Sequence, residues 1–509
     1  MPGPVLLTGE DLTVGEVWEV AVGGSHAVLT DHARERMTAA RTLVDAQLGE
    51  HTYGVNTGFG RFVSQRIPDE LAGELQLRLL RSHACGVGDP YPEATVRAAM
   101  LLRANALAKG FSGARIETVE LLLACLERGL VPYVPSRGSV GASGDLAPLA
   151  HLALPLVGEG EAWVGGERLA GAVALERVGL APITLAPKEG LSLINGTQFM
   201  AAMAALGLVR ARRLAVAADL ACAQSLESLQ GSQTSFMAAI HAARPLKGQG
   251  DAAANVRRLL EGSAIIESHR WCDKVQDAYS LRCAPQVHGA ARDLMDYAES
   301  TVAVELNAAT DNPLVLVDEG LVVSNGNFHG QPLAFALDVL ALAVAELASI
   351  SERRLERMVN PGLSDGLPPF LTVEGGLNSG FMIPQYVAAS LVSENKVLAH
   401  PASVDTIPTS AGQEDHVSMG NAAGLKLEQV LANAEHVLAI ELMAGAQAVE
   451  FLAPLEPGRG VVATRAFVRT LTERLVDDRP LSADIERVAA SIRGGGLAAA
   501  VESDVGALL

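Results

Sequence analysis

Between Ser136 and Asp145 the chain reads Ser-Arg-Gly-Ser-Val-Gly-Ala-Ser-Gly-Asp, three glycines and small neighbours gathered around Ser143. Three behaviours compete for such a loop. The default is a tight turn entering a helix, with Asp145 or Ser143 as N-cap. A phosphate cradle is disfavoured, because neither GxxxxGK followed by Ser or Thr nor GxGxxG occurs. The third behaviour is chemical. In a tightly bent backbone the amide nitrogen of Gly144 reaches the carbonyl carbon of Ala142 and closes a five-membered ring, an approach that only small residues permit. Loss of water from that ring and from the Ser143 side chain leaves an exocyclic methylene on a methylidene-imidazolone, which is an electrophile.

An electrophile of this kind answers a need. The twenty side chains provide acids, bases and nucleophiles but no good electron sink, so removing a non-acidic proton usually calls for a metal or an organic cofactor. No two of the twelve histidines lie within four residues of one another and HExxH is missing, which argues against a helical metal pair. No lysine motif for pyridoxal phosphate is recognisable.

Elements must position this loop. The turns His51 to Gly60 and Ser136 to Asp145 interrupt moderate helical patterns at Asp69 to Ser82, Pro92 to Ala108 and Ile116 to Arg128, the last closed by Gly129. Beyond Ser192 come long proline-free stretches rich in Ala, Leu, Glu and Arg: Gln198 to Gln230, Val287 to Ala309, Leu333 to Met358 and Leu425 to Phe451. Leu337 to Ile350 is apolar on more than one face, as a helix enclosed by other helices must be. A mainly α fold built on a long-helix bundle is the reading. The best strand signal is Glu161 to Leu169, where Gly165-Gly166 turns a small hairpin. Segments bearing Gly, Asn and Pro at Ser324 to Pro332, Asn360 to Pro369 and Ser403 to Met419 are the other places for site residues.

The bulk numbers bound the class. A chain of 509 residues allows one very large domain or two to three ordinary ones. With 49% hydrophobic and 19% charged residues, much apolar surface is expected to be buried between subunits. The apolar runs Phe199 to Val209 and Val339 to Ala345 are short and flanked by charges, so none reads as membrane-spanning. The acidic N-terminus lacks the pattern of a signal peptide. A formal charge of -19 disfavours nucleic acid and anionic membranes as partners. Five cysteines without a CxxC pair fit a reducing cytoplasm, the expected location.

The run Gly138-Ser-Val-Gly-Ala-Ser-Gly-Asp-Leu-Ala-Pro-Leu-Ala-His151 resembles the aromatic amino acid lyase family, and within it the branch acting on histidine. The likeness continues through Tyr53-Gly-Val-Asn-Thr-Gly-Phe-Gly60, Lys188 to Gln198, Val275 to Arg282, Gly326-Asn-Phe-His329 and Gln413-Glu-Asp-His-Val-Ser-Met419, covering essentially the whole chain. The resemblance implies a fumarase/aspartase-like helical bundle: an N-terminal lobe over residues 1–196 with the cyclising loop, and a bundle domain over 197–509 forming the oligomer core. It makes ring closure of Ala142-Ser143-Gly144 to 4-methylidene-imidazol-5-one the favoured reading, with no dissociable cofactor and no metal. It also implies a homotetramer whose active sites are shared between subunits.

The resemblance carries roles to individual positions. Tyr53 becomes the base for the β-proton, a role that needs help because a free phenol titrates near 10. Arg282 takes the substrate carboxylate, as a planar guanidinium can do with two hydrogen bonds. Tyr279 matches a tyrosine near the ring and the departing amine, Asn195 the amide that supports ring and substrate, and Gln276 a neighbour of the substrate. Phe328 packs against substrate or ring. His83 and Glu414 bear on substrate choice: a buried polar group left against a phenyl ring is costly, so His83 argues against phenylalanine only, while the Glu414 carboxylate suits an imidazole. Two departures from the family pattern, Ser324-Asn325-Gly326 and Gly412, remove none of these roles.

The expected reaction is elimination of ammonia from L-histidine to trans-urocanate, the first step of histidine degradation. A tyrosine lyase, an amino acid 2,3-aminomutase on the same scaffold, a fumarase-like lyase and a non-catalytic helical scaffold are the rivals.

Overall fold

The computed structural model describes residues 3–47 and 65–509. The expected long helices form at Gln198–Ser228, Ala284–Glu305, Gln331–Val359 and Gly420–Glu450. Their limits differ from the sequence pattern for local reasons. Pro285 and Pro332 sit in first turns, where a missing N–H costs nothing, so two helices begin earlier than the proline-free pattern implied. The first helix stops short of Gln230, whose φ of 46° is left-handed. The Glu161 to Leu169 hairpin is present as Glu161–Val164 paired antiparallel with Glu167–Ala170, and Gly165 and Gly166 (φ 61° and 83°) supply the positive angles of its two-residue turn. A third strand, Leu130–Pro132, pairs with Glu161–Val164; nothing in its short sequence announced it.

The chain divides into two compact units that interleave along the sequence. The first comprises 1–209, 299–338 and 401–425, and the second 210–298, 339–400 and 426–509. In the first unit the helix Glu93–Ala108 is buried nearly all round and packs against Val14–Ala21, Asp31–Ala46 and Ile116–Glu127. The remaining β-structure described in this unit is small: a parallel pair Val5–Leu7 with Ala27–Leu29, and antiparallel pairs Val87–Pro90 with Pro135–Arg137 and Leu314–Leu316 with Leu321–Val323.

The second unit holds parts of all four long helices, clamped by buried charges. Arg354 donates to Glu441 through Nε at 2.5 Å and Nη2 at 2.9 Å, while Ser225 and Ser351 hydroxyls donate to the same carboxylate at 2.6 and 2.5 Å. Asp219 accepts from Arg292 and meets His288 Nδ1 at 2.7 Å. Groups fully removed from water survive as ions only when paired and hydrogen-bonded in this way, and the pairing fixes which helix faces meet. Gln331–Val359 is long and apolar enough to cross a membrane by length and composition, with 67% of its most apolar window buried inside the protein.

Candidate active site

The Ser136 to Asp145 loop lies in the first unit, between the strand Pro135–Arg137 and the helix Leu146–Ala153. Its glycines are conformationally required where the chain bends: φ is 68° at Gly141 and 72° at Gly144. At Gly144 the approach is also steric. A Cβ there would lie 2.0 Å from the carbonyl oxygen of Gly196, and the two residues form a parallel bridge whose next link is Asp145 N donating to Gly196 O at 2.7 Å. At Gly141 a Cβ would collide with Ser418 Oγ. The bend is held from within by Ser139, whose hydroxyl accepts from Gly141 N at 3.1 Å and donates toward Asp145 Oδ1 at 3.3 Å.

Asp145 stands at the N-cap of the following helix but makes no side-chain cap there. Instead its carboxylate accepts from Met200 N at 3.0 Å, at the start of the 31-residue helix Gln198–Ser228, where free amides and the helix dipole favour an acceptor. Burial nevertheless pushes this carboxyl up to about 7, against the pull of the Met200, Ser139 and Phe199 hydrogen bonds.

Three further segments converge on the loop. Asn195 is buried, donates from Nδ2 to Asn312 O at 3.0 Å, and leaves its Oδ1 without a partner. Behind it the buried Lys188 pairs with Asp311 at 2.8 Å, tying the Lys188 to Gln198 motif to the chain at 311–312. Asn312 Oδ1 in turn accepts from Asn325 N at 2.9 Å, which fixes the entry to Gly326-Asn-Phe-His329 and the half-buried Phe328. His329 Nε2 lies 3.2 Å from His416 O. The last segment, 403–419, is tied to the loop by Met419 N donating to Val140 O at 3.0 Å and Ser418 Oγ donating to Gly141 O at 3.3 Å. It brings Glu414 Oε1 to 3.2 Å from Ser143 Oγ. Gly412, a departure from the family pattern, has φ 84°, an angle glycine adopts without strain.

His83 ends the helix Ala72–His83, with Nδ1 2.9 Å from Leu79 O, so Nδ1–H donates and Nε2 is left as the acceptor. Burial lowers its pKa, opposed by the Leu79 bond and by the charge of Glu414. The structure thus gathers Ala142, Ser143, Gly144, Asn195, Phe328, His83 and Glu414 in one unit. Gln276, Tyr279 and Arg282 belong to the second. There Tyr279 is 71% exposed, and Arg282 lies 4.6 Å over its ring while Nε donates to Asp277 O at 2.9 Å. Tyr53 falls outside the described residues. Among the described residues no group of three or more His, Cys, Asp or Glu could hold a metal ion.

A sequence model of the aromatic amino acid lyases matches residues 12–472. The chain belongs to that family. Among its lyase relatives, the histidine ammonia-lyase of Anaeromyxobacter dehalogenans (strain 2CP-C) is 58% identical over 504 residues, 97% of this chain and 99% of that protein. The crystal structure of histidine ammonia-lyase from Trypanosoma cruzi superposes with a TM-score of 0.91 at 44% identity, covering 98% of this chain and 95% of that one. Tyrosine aminomutase from Streptomyces globisporus reaches 0.93 at 36% identity, covering 98% and 99%. Backbone shape is therefore common to lyases and mutases of the family, and substrate choice must reside in side chains.

Several residues that shape this lyase site carry little signal in the sequence. Gly196, Thr409 and Ser418 lie in or beside the motifs, yet their contributions are backbone approach and hydrogen bonds that a motif does not spell out. Asn312 carried no sequence signal at all; its importance comes from accepting both Asn195 and the 324–325 turn.

Proposed function

We propose that this chain is a histidine ammonia-lyase that closes Ala142-Ser143-Gly144 into 4-methylidene-imidazol-5-one and converts L-histidine to trans-urocanate and ammonia. The observation that carries the substrate reading is Glu414, whose carboxylate oxygen lies 3.2 Å from the Ser143 hydroxyl and whose charge is felt at His83. Relatives at 52–58% identity bearing that name support it. The residues fit the self-made group: Gly144 has no room for a Cβ against Gly196, and the buried Asn195, next to Gly196 in the chain, holds an unpartnered acceptor in Oδ1. The ring supplies an electrophile that makes the amine a leaving group.

The chain's own residues do the rest. Glu414 accepts a hydrogen bond from an imidazole N–H and His83 Nε2 faces the same end of the substrate. Arg282 binds the substrate carboxylate with its forked donors, oriented by Asp277 O and the Tyr279 ring. Gln276 neighbours the carboxylate, Phe328 packs on the substrate, Asn195 orients the amine, Tyr53 takes the β-proton and Tyr279 escorts the amine. The active enzyme is a homotetramer whose sites are shared between subunits. That assembly is supported by exposed apolar side chains, among them Val304 (68%) on Ala284–Glu305 and Tyr386 (61%) and Val397 (73%) on the helix Met382–Leu398. Five unpaired cysteines accord with a reducing cytoplasm.

The test is product identity. Purified enzyme incubated with L-histidine should yield urocanate and equimolar ammonia. A β-amino acid without net ammonia would make it an aminomutase, and turnover of tyrosine alone would make it a tyrosine lyase; either overturns the proposal.

A further inference from the structure

The Glu414 carboxylate sits on a strained hairpin. Thr409 and Glu414 form an antiparallel bridge, with Thr409 N donating to Glu414 O at 2.8 Å and Glu414 N to Thr409 O at 3.3 Å. Between them Ser410 and Ala411 take φ of 50° and 55°, followed by Gly412 at 84°. Two consecutive left-handed L residues are unfavourable in any isolated chain and persist only where surrounding contacts impose them. The closure has a side-chain component too. Thr409 Oγ1 donates to Glu414 Oε2 at 2.7 Å, while the other carboxylate oxygen, Oε1, accepts from Ser143 Oγ at 3.2 Å. A carboxylate on a flexible glutamate stem has free torsions; one hydroxyl fixing Oε2 removes that freedom and leaves Oε1 as the acceptor turned to the ring-forming serine.

We propose that Thr409 is a positioning residue for substrate choice: its hydroxyl occupies one oxygen of Glu414 and so aims the other at the substrate's imidazole. This rests on the reading of Glu414 given above. The threonine contributes through two parts. Its backbone closes the hairpin, which any β-former can do, but only a hydroxyl can hold Oε2. A merely structural Thr409 would make its effect independent of Glu414 and of the substrate's ring.

The experiment is a double-mutant cycle on the full chain with Thr409→Val, Glu414→Ala and the pair, following urocanate formation from L-histidine, with Thr409→Ser as the conservative variant. Thr409→Val should lower kcat/KM about tenfold, the weight of one hydrogen bond to a charged group. The same change made in the Glu414→Ala background should alter kcat/KM less than about twofold, and Thr409→Ser should restore most of the loss. Intact mass should show Thr409→Val losing the same two waters as wild type, which separates aim from ring formation. Equal losses in both backgrounds, a Thr409→Val rate within about twofold of wild type, or no rescue by serine would each overturn the proposal. Wild type that releases no urocanate would instead defeat the histidine reading itself, and the proposal with it.

Discussion

Replacing Gly144 by alanine is the sharpest probe of ring closure. The added Cβ would lie 2.0 Å from Gly196 O and 2.4 Å from its carbonyl carbon. Reaching ordinary contact at 3.4 Å requires the two segments to part by about 1.4 Å, and holding an L residue at φ 72° costs a further ~1–2 kcal/mol. The recoil falls on the reacting atom, because Gly144 is coupled to Gly196 through the bridge and through the 2.7 Å hydrogen bond of the next residue. A misplacement of that size typically costs about 100-fold in rate, so cyclisation should be slowed at least ~100-fold. Intact mass spectrometry reads the outcome directly. Wild type should weigh two waters less than its sequence, and Gly144→Ala should retain the full mass, with negligible ammonia release. A Gly144→Ala chain that is dehydrated and active would refute the argument from close approach.

The remaining predictions concern other parts of the molecule. Glu414→Gln should cut kcat/KM for L-histidine at least ~10-fold by removing a charged acceptor while leaving the mass deficit intact; steady-state kinetics and mass spectrometry check both halves. Glu441→Gln leaves Arg354 buried without its counter-ion and should cost about 3–5 kcal/mol, read as a lower urea midpoint, whereas replacing both residues by apolar ones of similar volume should recover most of it. Asp145 titrates near 7 when folded and near 4 when unfolded, so between those values the folded chain keeps a proton that the unfolded one has lost. Stability should therefore fall as pH rises through that window and level off above it. Glu227, also pushed up to about 7 by burial, adds in the same sense. Urea midpoints for wild type and Asp145→Asn across that range check the sign, the variant showing the weaker dependence.

Much of this was legible in the sequence, and the exceptions share a cause. Helices of the second half announce themselves by composition, and the Gly165-Gly166 hairpin by two residues that tolerate positive φ. Helix starts escape the sequence pattern where a proline occupies a first turn, because a pattern that treats proline as a breaker misses the positions where it is harmless. Local physics showed only that Ala142-Ser143-Gly144 can bend sharply; the reason it must is Gly196, 52 residues away in the chain, whose carbonyl leaves no room for a side chain. Asp145 likewise reads as the cap of its own helix and serves another one. Long-range partners such as Asn312 for Asn195 and Thr409 for Glu414 become visible only when folding brings the segments together. The strand Leu130–Pro132 shows the same limit, since three residues carry too little pattern to betray a pairing.

The central claim is that a ring made from Ala142-Ser143-Gly144 eliminates ammonia from histidine. Its most direct test measures ammonia and conjugated product from L-histidine, L-tyrosine and L-phenylalanine in parallel, for wild type and for Ser143→Ala. Urocanate and ammonia should form from histidine at a rate well above turnover of the other two substrates, and both should be lost in folded Ser143→Ala. Histidine left intact by wild type, or urocanate formed equally well by Ser143→Ala, would contradict it.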